Sequence, residues 1–420
     1  MISKSMMSGS RKHCFYFLGV LIFVAAWGFV SMRSGRIEIT PPRILQTARR
    51  NASWRNALSP ETTSMPVKSL RRSFSPTTVP GDGKQHVVIL ASMRTGSSFV
   101  GELLANNGDV FYLFEPGLAV HDALRQNGLS PAVVEHVYLR MLPKIFLCDF
   151  SDLDFYMEWL AARPLADLLK MAPRLYDLCV LNSTDPKGRC VITPEMATET
   201  CQKSDLIVIK SIRVPDINLL LPMVEEKTIN LKVIHLVRDP RPMIASRAEA
   251  LKWEVLDSKW NGVLPGKVQD VLCIYCKYNC QNLELGTQRP SLKNRYMFLR
   301  YEDAALNPRA AALRIYRFLG RDGGVPDSVQ EWIDSNTGAD KPGTYSTARN
   351  SREVYRKWRL TLPVEAARAI EKTGQCRGMM ARMGYLTLED KWHLRNMSRP
   401  LLGSLPPVNT DVEKYDWVWF

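Results

Sequence analysis

Neither a P-loop of the form G-x-x-x-x-G-K-[ST] nor a G-x-G-x-x-G fingerprint occurs anywhere in the 420 residues. Their absence excludes the usual cradles for a nucleoside triphosphate or a dinucleotide. The protein-kinase motif set is missing too, which argues against a kinase. Histidine is scarce, six in all, and none stands at zinc-finger spacing from the cysteines, so no metal is expected. No segment repeats, and beyond positive charge nothing reads as a nucleic-acid binder, so no nucleic-acid partner is expected. Acidic residues are in deficit, with 42 Asp+Glu against 56 Lys+Arg and a net charge of +14. Such an excess suits an anionic ligand, polymer or surface.

What is present first sets the compartment. Residues 14–30, CFYFLGVLIFVAAWGFV, are apolar and uncharged, preceded by Lys4, Arg11 and Lys12. No small-x-small cleavage site follows, so the run predicts an uncleaved signal anchor over 14–32 behind a cytoplasmic tail at 1–13. Arg33 and Arg36 on the far side satisfy the positive-inside rule only weakly. Residues 33–84, rich in Pro, Ser, Thr and Arg, read as a stem that cannot bury a core. Anchor, stem and a body over 85–420 form the layout of a single-pass type II Golgi membrane enzyme with a lumenal body. Sequons at Asn51, Asn182 and Asn396 are the expected glycosylation sites. Of nine cysteines, those in the body are expected to pair as disulfides. Cys273, Cys276 and Cys280 would share one helical face, which makes a zinc site there the weaker alternative.

Four apolar runs, at 87–90, 206–209, 233–237 and 297–299, predict strands. Helical patterns follow at 97–106, 240–251 and 309–319, so the fold class is α/β, a central parallel sheet flanked by helices. Ligands of such sheets sit at the carboxyl ends of strands. There the first run opens into Ser92, Met93, Arg94, Thr95, Gly96, Ser97 and Ser98, a tight loop leading into a helix, suited to an anion. The third opens into Arg238, Asp239, Pro240 and Arg241, continued by Pro242, Met243, Ile244, Ala245 and Ser246. A helix-opening arginine with a serine two turns on makes a second anion site. Asp239 is also well placed to cap that helix. Residues 117–205 are less regular and read as a cross-linked insertion near the acceptor.

The stretches SMRTGSSFVGELL, FYLFEP, KVIHLVRDPR-x-x-x-ASR, RYED-x-x-x-NP and YSTARNS…KWR resemble the Golgi carbohydrate sulfotransferases. Within them, the resemblance is to the chondroitin 6-O- and keratan sulfate galactose 6-O-sulfotransferase branch, over most of residues 85–387. It implies a P-loop-like sulfotransferase fold and 3′-phosphoadenosine 5′-phosphosulfate as donor. Residues 92–98 then resemble the 5′-phosphosulfate loop, with Arg94 in place of a P-loop lysine, and Arg238 with Ser246 the 3′-phosphate site. Glu115 matches a catalytic glutamate that takes the acceptor's proton. Lys210, at the end of its strand, is the residue expected to face the bridging oxygen, with Arg213 after it as the alternative. Where the branch often carries a histidine after Phe-Glu-Pro, Ala119 stands here and His121 follows as a reserve base. Arg349, with Lys357 and Arg359, reads as a lid over the adenosine or a basic track. Glu302 and Asp303 read as structural. The acceptor implied is an anionic glycan, N-acetylgalactosamine of chondroitin before galactose of keratan, and a homodimer is compatible with this reading. Its rivals are a transferase with another donor and a glycosaminoglycan-binding protein without catalysis.

Overall fold

Five apolar runs pair side by side in one parallel sheet: β1 (Gln85–Leu90), β2 (Val110–Phe114), β3 (Leu206–Ser211), β4 (Leu231–Val237) and β5 (Tyr296–Arg300), in the order β2-β3-β1-β4-β5. This is a computed structural model, which describes residues 83–125, 128–182, 190–253, 263–338 and 350–405, together with the backbone of 30–33 and 36–39. The runs are apolar without alternation because both faces of the sheet are covered. Val87 and Ile89 enter a core with Val100, Leu103 and Ile315, while Val88 and Leu90 enter another with Phe111, Leu142 and Ile145.

The four expected strands are present within slightly longer elements. β2 is a strand beyond the four expected, and its five residues carry the burial of one. The helices that position the site are α1 (Ser97–Ala105), α2 (Gly117–Arg125), α3 (Pro131–Phe146), α4 (Pro240–Leu251), α5 (Gly266–Gln288), α6 (Tyr301–Leu306) and α7 (Pro308–Phe318). α7 starts one residue earlier than its apolar pattern predicts. Asn307 accepts from the Ala310 N–H, and Pro308 takes the first helical position, which needs no N–H partner.

The insertion over 117–205 is more regular than expected. It is largely helical, and Cys148–Cys201 and Cys179–Cys190 staple it. A third disulfide, Cys276–Cys376, ties α5 to the helix Cys376–Arg382. That bond removes the zinc alternative, because the Cys276 sulfur is already committed. Cys280 is free and buried.

In a separate unit, Met1–Ser75, residues Val30–Arg33 and Arg36–Ile39 pair antiparallel, with Val30 opposite Ile39. This short ladder was not expected where the stem begins. Its signal is the polar–apolar alternation of Arg36-Ile37-Glu38-Ile39. The expected anchor lies outside the described residues except for its last three positions, which are on this strand. No helix among the described residues is long and apolar enough to cross a membrane.

Candidate functional site

The loop after β1 is held by its own side chains. Thr95, fully buried, donates from Oγ1 to the Ser92 carbonyl at 2.7 Å. Arg94 and Gly96 both take left-handed backbone, at φ 65° and 85°. Gly96 is required for a second reason, since a Cβ there would come within 2.1 Å of the Tyr301 ring. Gly96 also caps α1 without a side chain to receive the first N–H groups. An uncapped helix N-terminus above a sheet rim is an anion site in waiting. Ser97 is buried at that terminus, and Ser98 is partly exposed.

The loop after β4 is stitched to the first. Arg94 Nε donates to Ser246 Oγ at 2.9 Å, Arg238 Nη1 to the Arg94 carbonyl at 3.0 Å, and Arg247 Nε to the Met93 carbonyl at 3.0 Å. Burial pushes the Arg247 pKa down to about 10. The Arg238 guanidinium lies 4.6 Å from the Tyr301 ring centroid, and its buried Nε has no hydrogen-bond partner among the described residues. A buried, unpaired donor beside a second arginine fits an incoming phosphate.

Several residues of this stretch face the other way, which corrects the sequence reading. Arg241 is 0 % exposed, with its guanidinium on Asp239 at 2.6 Å and Glu371 at 2.7 Å. Asp239 is spent on that pair and on capping α4, where it accepts from the Arg241 N–H at 2.9 Å. Pro240 and Pro242 are buried in the first turn of α4, and Met243 and Ile244 are core residues packed with Leu272 and Trp358. These side chains hold the turn in place and are not free to touch a ligand. Ala245 and Ser246 remain partly exposed.

At the other end of the rim, β2 delivers Glu115 in left-handed backbone, φ 47°. Its N–H donates to the Lys210 carbonyl at 2.9 Å, so the two strand ends are in register. The Lys210 ammonium pairs with one carboxylate oxygen, and Arg213 Nη1 with the other at 2.5 Å. Glu115 is 7 % exposed and Lys210 2 %. Lys210 Nζ also sits 3.7 Å from the Phe114 ring centroid. Burial holds the Lys210 pKa below the usual lysine value, against the opposing pull of Glu115. Two cations and one carboxylate leave one positive charge at the strand ends, where it can meet an anion. The sequence favours Lys210 over Arg213, and the structure brings both to Glu115.

Other expected residues are not brought together there. His121, on α2, lies 3.6 Å from Asp122 and has neither Glu115 nor Lys210 among its partners. Arg359 is buried and donates to the carbonyls of His393, Leu394, Asn396 and Arg399, so it ties down the C-terminal segment and is not part of a lid or basic track. Arg349 and Asn51 lie outside the described residues. Asn182 ends the helix Pro173–Asn182, and Asn396 is exposed at the end of Lys391–Arg395. Asp303 receives both arms of Arg300, as a structural residue should. Glu302 is fully enclosed, and burial together with Asp239 pushes its carboxyl up to about 7. Sequence reasoning missed Tyr275 and Tyr301, the two tyrosines against Arg238. Tyr301 carried a faint signal as the residue after a strand end.

A model of the sulfotransferase domain matches residues 84–384. The chain belongs to the sulfotransferase family. Carbohydrate sulfotransferase 3 of Tetronarce californica is 34% identical to this sulfotransferase over 347 residues, covering 76% of this chain and 77% of that protein. The human protein of the same name is 32% identical over 349 residues, covering 76% and 71%. Carbohydrate sulfotransferase 1 of Mus musculus is 34% identical over 350 residues, covering 74% and 82%. Among solved structures, the sulfotransferase domain of the Synechococcus PCC 7002 olefin synthase aligns with a TM-score of 0.39 and 20% identity, covering 70% of this chain and 96% of that one.

Proposed function

We propose that this sulfotransferase moves a sulfuryl group from 3′-phosphoadenosine 5′-phosphosulfate to the 6-hydroxyl of a sugar in an anionic glycan. The sugar favoured is N-acetylgalactosamine of chondroitin, with galactose of keratan next. The observation that carries this reading is the stitching of Arg94, Ser246 and Arg238 into two anion sites on one rim. A donor with phosphates at both ends would meet basic groups from both loops. Membership in the family and the names of the carbohydrate sulfotransferase relatives support the sugar acceptor.

In the transfer, the sulfur–oxygen bond to the donor's bridging oxygen breaks as a new bond forms to the sugar oxygen. Glu115 accepts the sugar's proton, and Lys210 with Arg213 meets the charge that develops on the leaving phosphate. Positioning and charge do most of the work in such displacements. A lumenal Golgi location with a type II anchor and glycans on the three sequons belongs to the same reading. It is supported by disulfides, which form in oxidising compartments.

The test is incubation of the protein with labelled donor and desulfated chondroitin or keratan, followed by disaccharide analysis of the product. Label on the 6-position of N-acetylgalactosamine is expected. Label on neither glycan, with donor bound, would overturn the acceptor assignment.

A further inference from the structure

The sheet ladder stops one residue short of Arg238. β4 ends at Val237, opposite Arg300, so the N–H and C=O of Arg238 and the N–H of Asp239 have no neighbouring strand. Buried backbone groups of this kind need partners. Side chains from two other elements supply them. Tyr275 Oη, on α5, accepts from the Arg238 N–H at 3.0 Å and donates to the Arg238 carbonyl at 2.7 Å. Glu302 Oε1, on α6, accepts from the Asp239 N–H at 3.1 Å, while its Oε2 accepts from the Tyr385 hydroxyl at 2.9 Å. All three side chains are buried. The peptide units on either side of Arg238 are therefore held from outside the sheet, and Tyr301 supports the guanidinium.

We propose that Tyr275 and Glu302 are positioning residues that preorganise Arg238 for the anionic end of the donor. Their side-chain oxygens are spent on the backbone and on Tyr385, so they act through Arg238. An arginine already fixed at its backbone loses less freedom when a phosphate arrives, which strengthens binding without a new contact. This inference rests on the reading of Arg238 as a phosphate site.

The experiment titrates the full chain with 3′-phosphoadenosine 5′-phosphate by calorimetry and measures KM for donor and acceptor in five variants. Tyr275→Phe and Glu302→Ala should each raise the dissociation constant about tenfold, the worth of one good hydrogen bond. Donor KM should rise in proportion and acceptor KM should stay put. Glu302→Gln keeps an oxygen for the Asp239 N–H and should restore binding to within about twofold. Arg238→Ala should weaken binding at least as much, and adding Tyr275→Phe to it should change nothing further. If Tyr275→Phe and Glu302→Ala melt earlier but bind with unchanged affinity, their role is structural and the proposal falls, while the phosphate site stands. If Arg238→Ala itself binds normally, the reading beneath the proposal falls. Should Glu302→Ala not fold, Tyr275→Phe, which loses a single hydroxyl, decides alone.

Discussion

Replacing Glu115 by Gln removes one negative charge from between two cations and leaves the side-chain shape intact. Lys210, 2 % exposed, then keeps Arg213 as its charged neighbour, and that neighbour repels it. The ammonium is driven further towards neutrality, so the site loses its base and weakens its cation in one step. Breaking a buried pair costs about 3–5 kcal/mol when one partner is deleted outright, and the Gln amide should hold the loss to the lower end. Turnover should fall by about 10²–10⁴-fold, the usual worth of a positioned base. That is about 3–5 kcal/mol on the barrier. The affinity for 3′-phosphoadenosine 5′-phosphate should fall far less than turnover, because the Arg94 and Arg238 loops still hold its phosphates when the Lys210 cation is weakened. The assay pairs kcat for labelled sulfate transfer with a calorimetric dissociation constant on the same preparation. Near-normal turnover would refute the base role. A parallel loss of affinity and turnover would show instead that Glu115 serves to orient its cations.

Two further expectations concern the fold around the site. Gly96→Ala should lower stability by about 1–3 kcal/mol and impair donor binding, since φ 85° and a Cβ 2.1 Å from Tyr301 cannot both be relieved locally; a melting curve like that of the natural protein would contradict it. Burial raises Glu302 from 4.5 to about 7, so the folded chain keeps a proton that the unfolded chain has released, and stability falls as pH rises through that window. Burial lowers His235 from 6.5 to about 4, with the opposite effect: stability rises from about pH 4 to 6.5. Each shift is worth about 3 kcal/mol, so the two nearly cancel, and Glu302→Gln should unmask the rise in urea midpoints between pH 4.5 and 6.5. An unchanged slope in that variant would refute the assignment.

Both rim loops were legible because their residues are local. An apolar run that never alternates ends in a cluster of Arg, Gly and Ser, and that pattern needs no tertiary knowledge. The same logic misses β2, whose aromatic run reads only as part of a motif. Arg241 looked like a ligand because it is an arginine beside another one. Its partner Glu371 is 130 residues away, and no local pattern announces that pairing. Tyr275 was invisible for a related reason: on a long helix, an aromatic at core spacing looks like any other core residue. The sequence favours Lys210 over Arg213, but it could not show that Arg213, two residues past the end of β3, also reaches Glu115.

The most direct test of the central claim is calorimetric titration with 3′-phosphoadenosine 5′-phosphate beside adenosine 5′-phosphate, in the natural protein and in Arg238→Ala. Two stitched anion sites predict that losing the 3′-phosphate weakens binding by at least about tenfold, the lower end for a charge-assisted hydrogen bond. Arg238→Ala should erase most of that difference by weakening only the doubly phosphorylated ligand. Equal affinities for the two nucleotides in the natural protein would contradict the account.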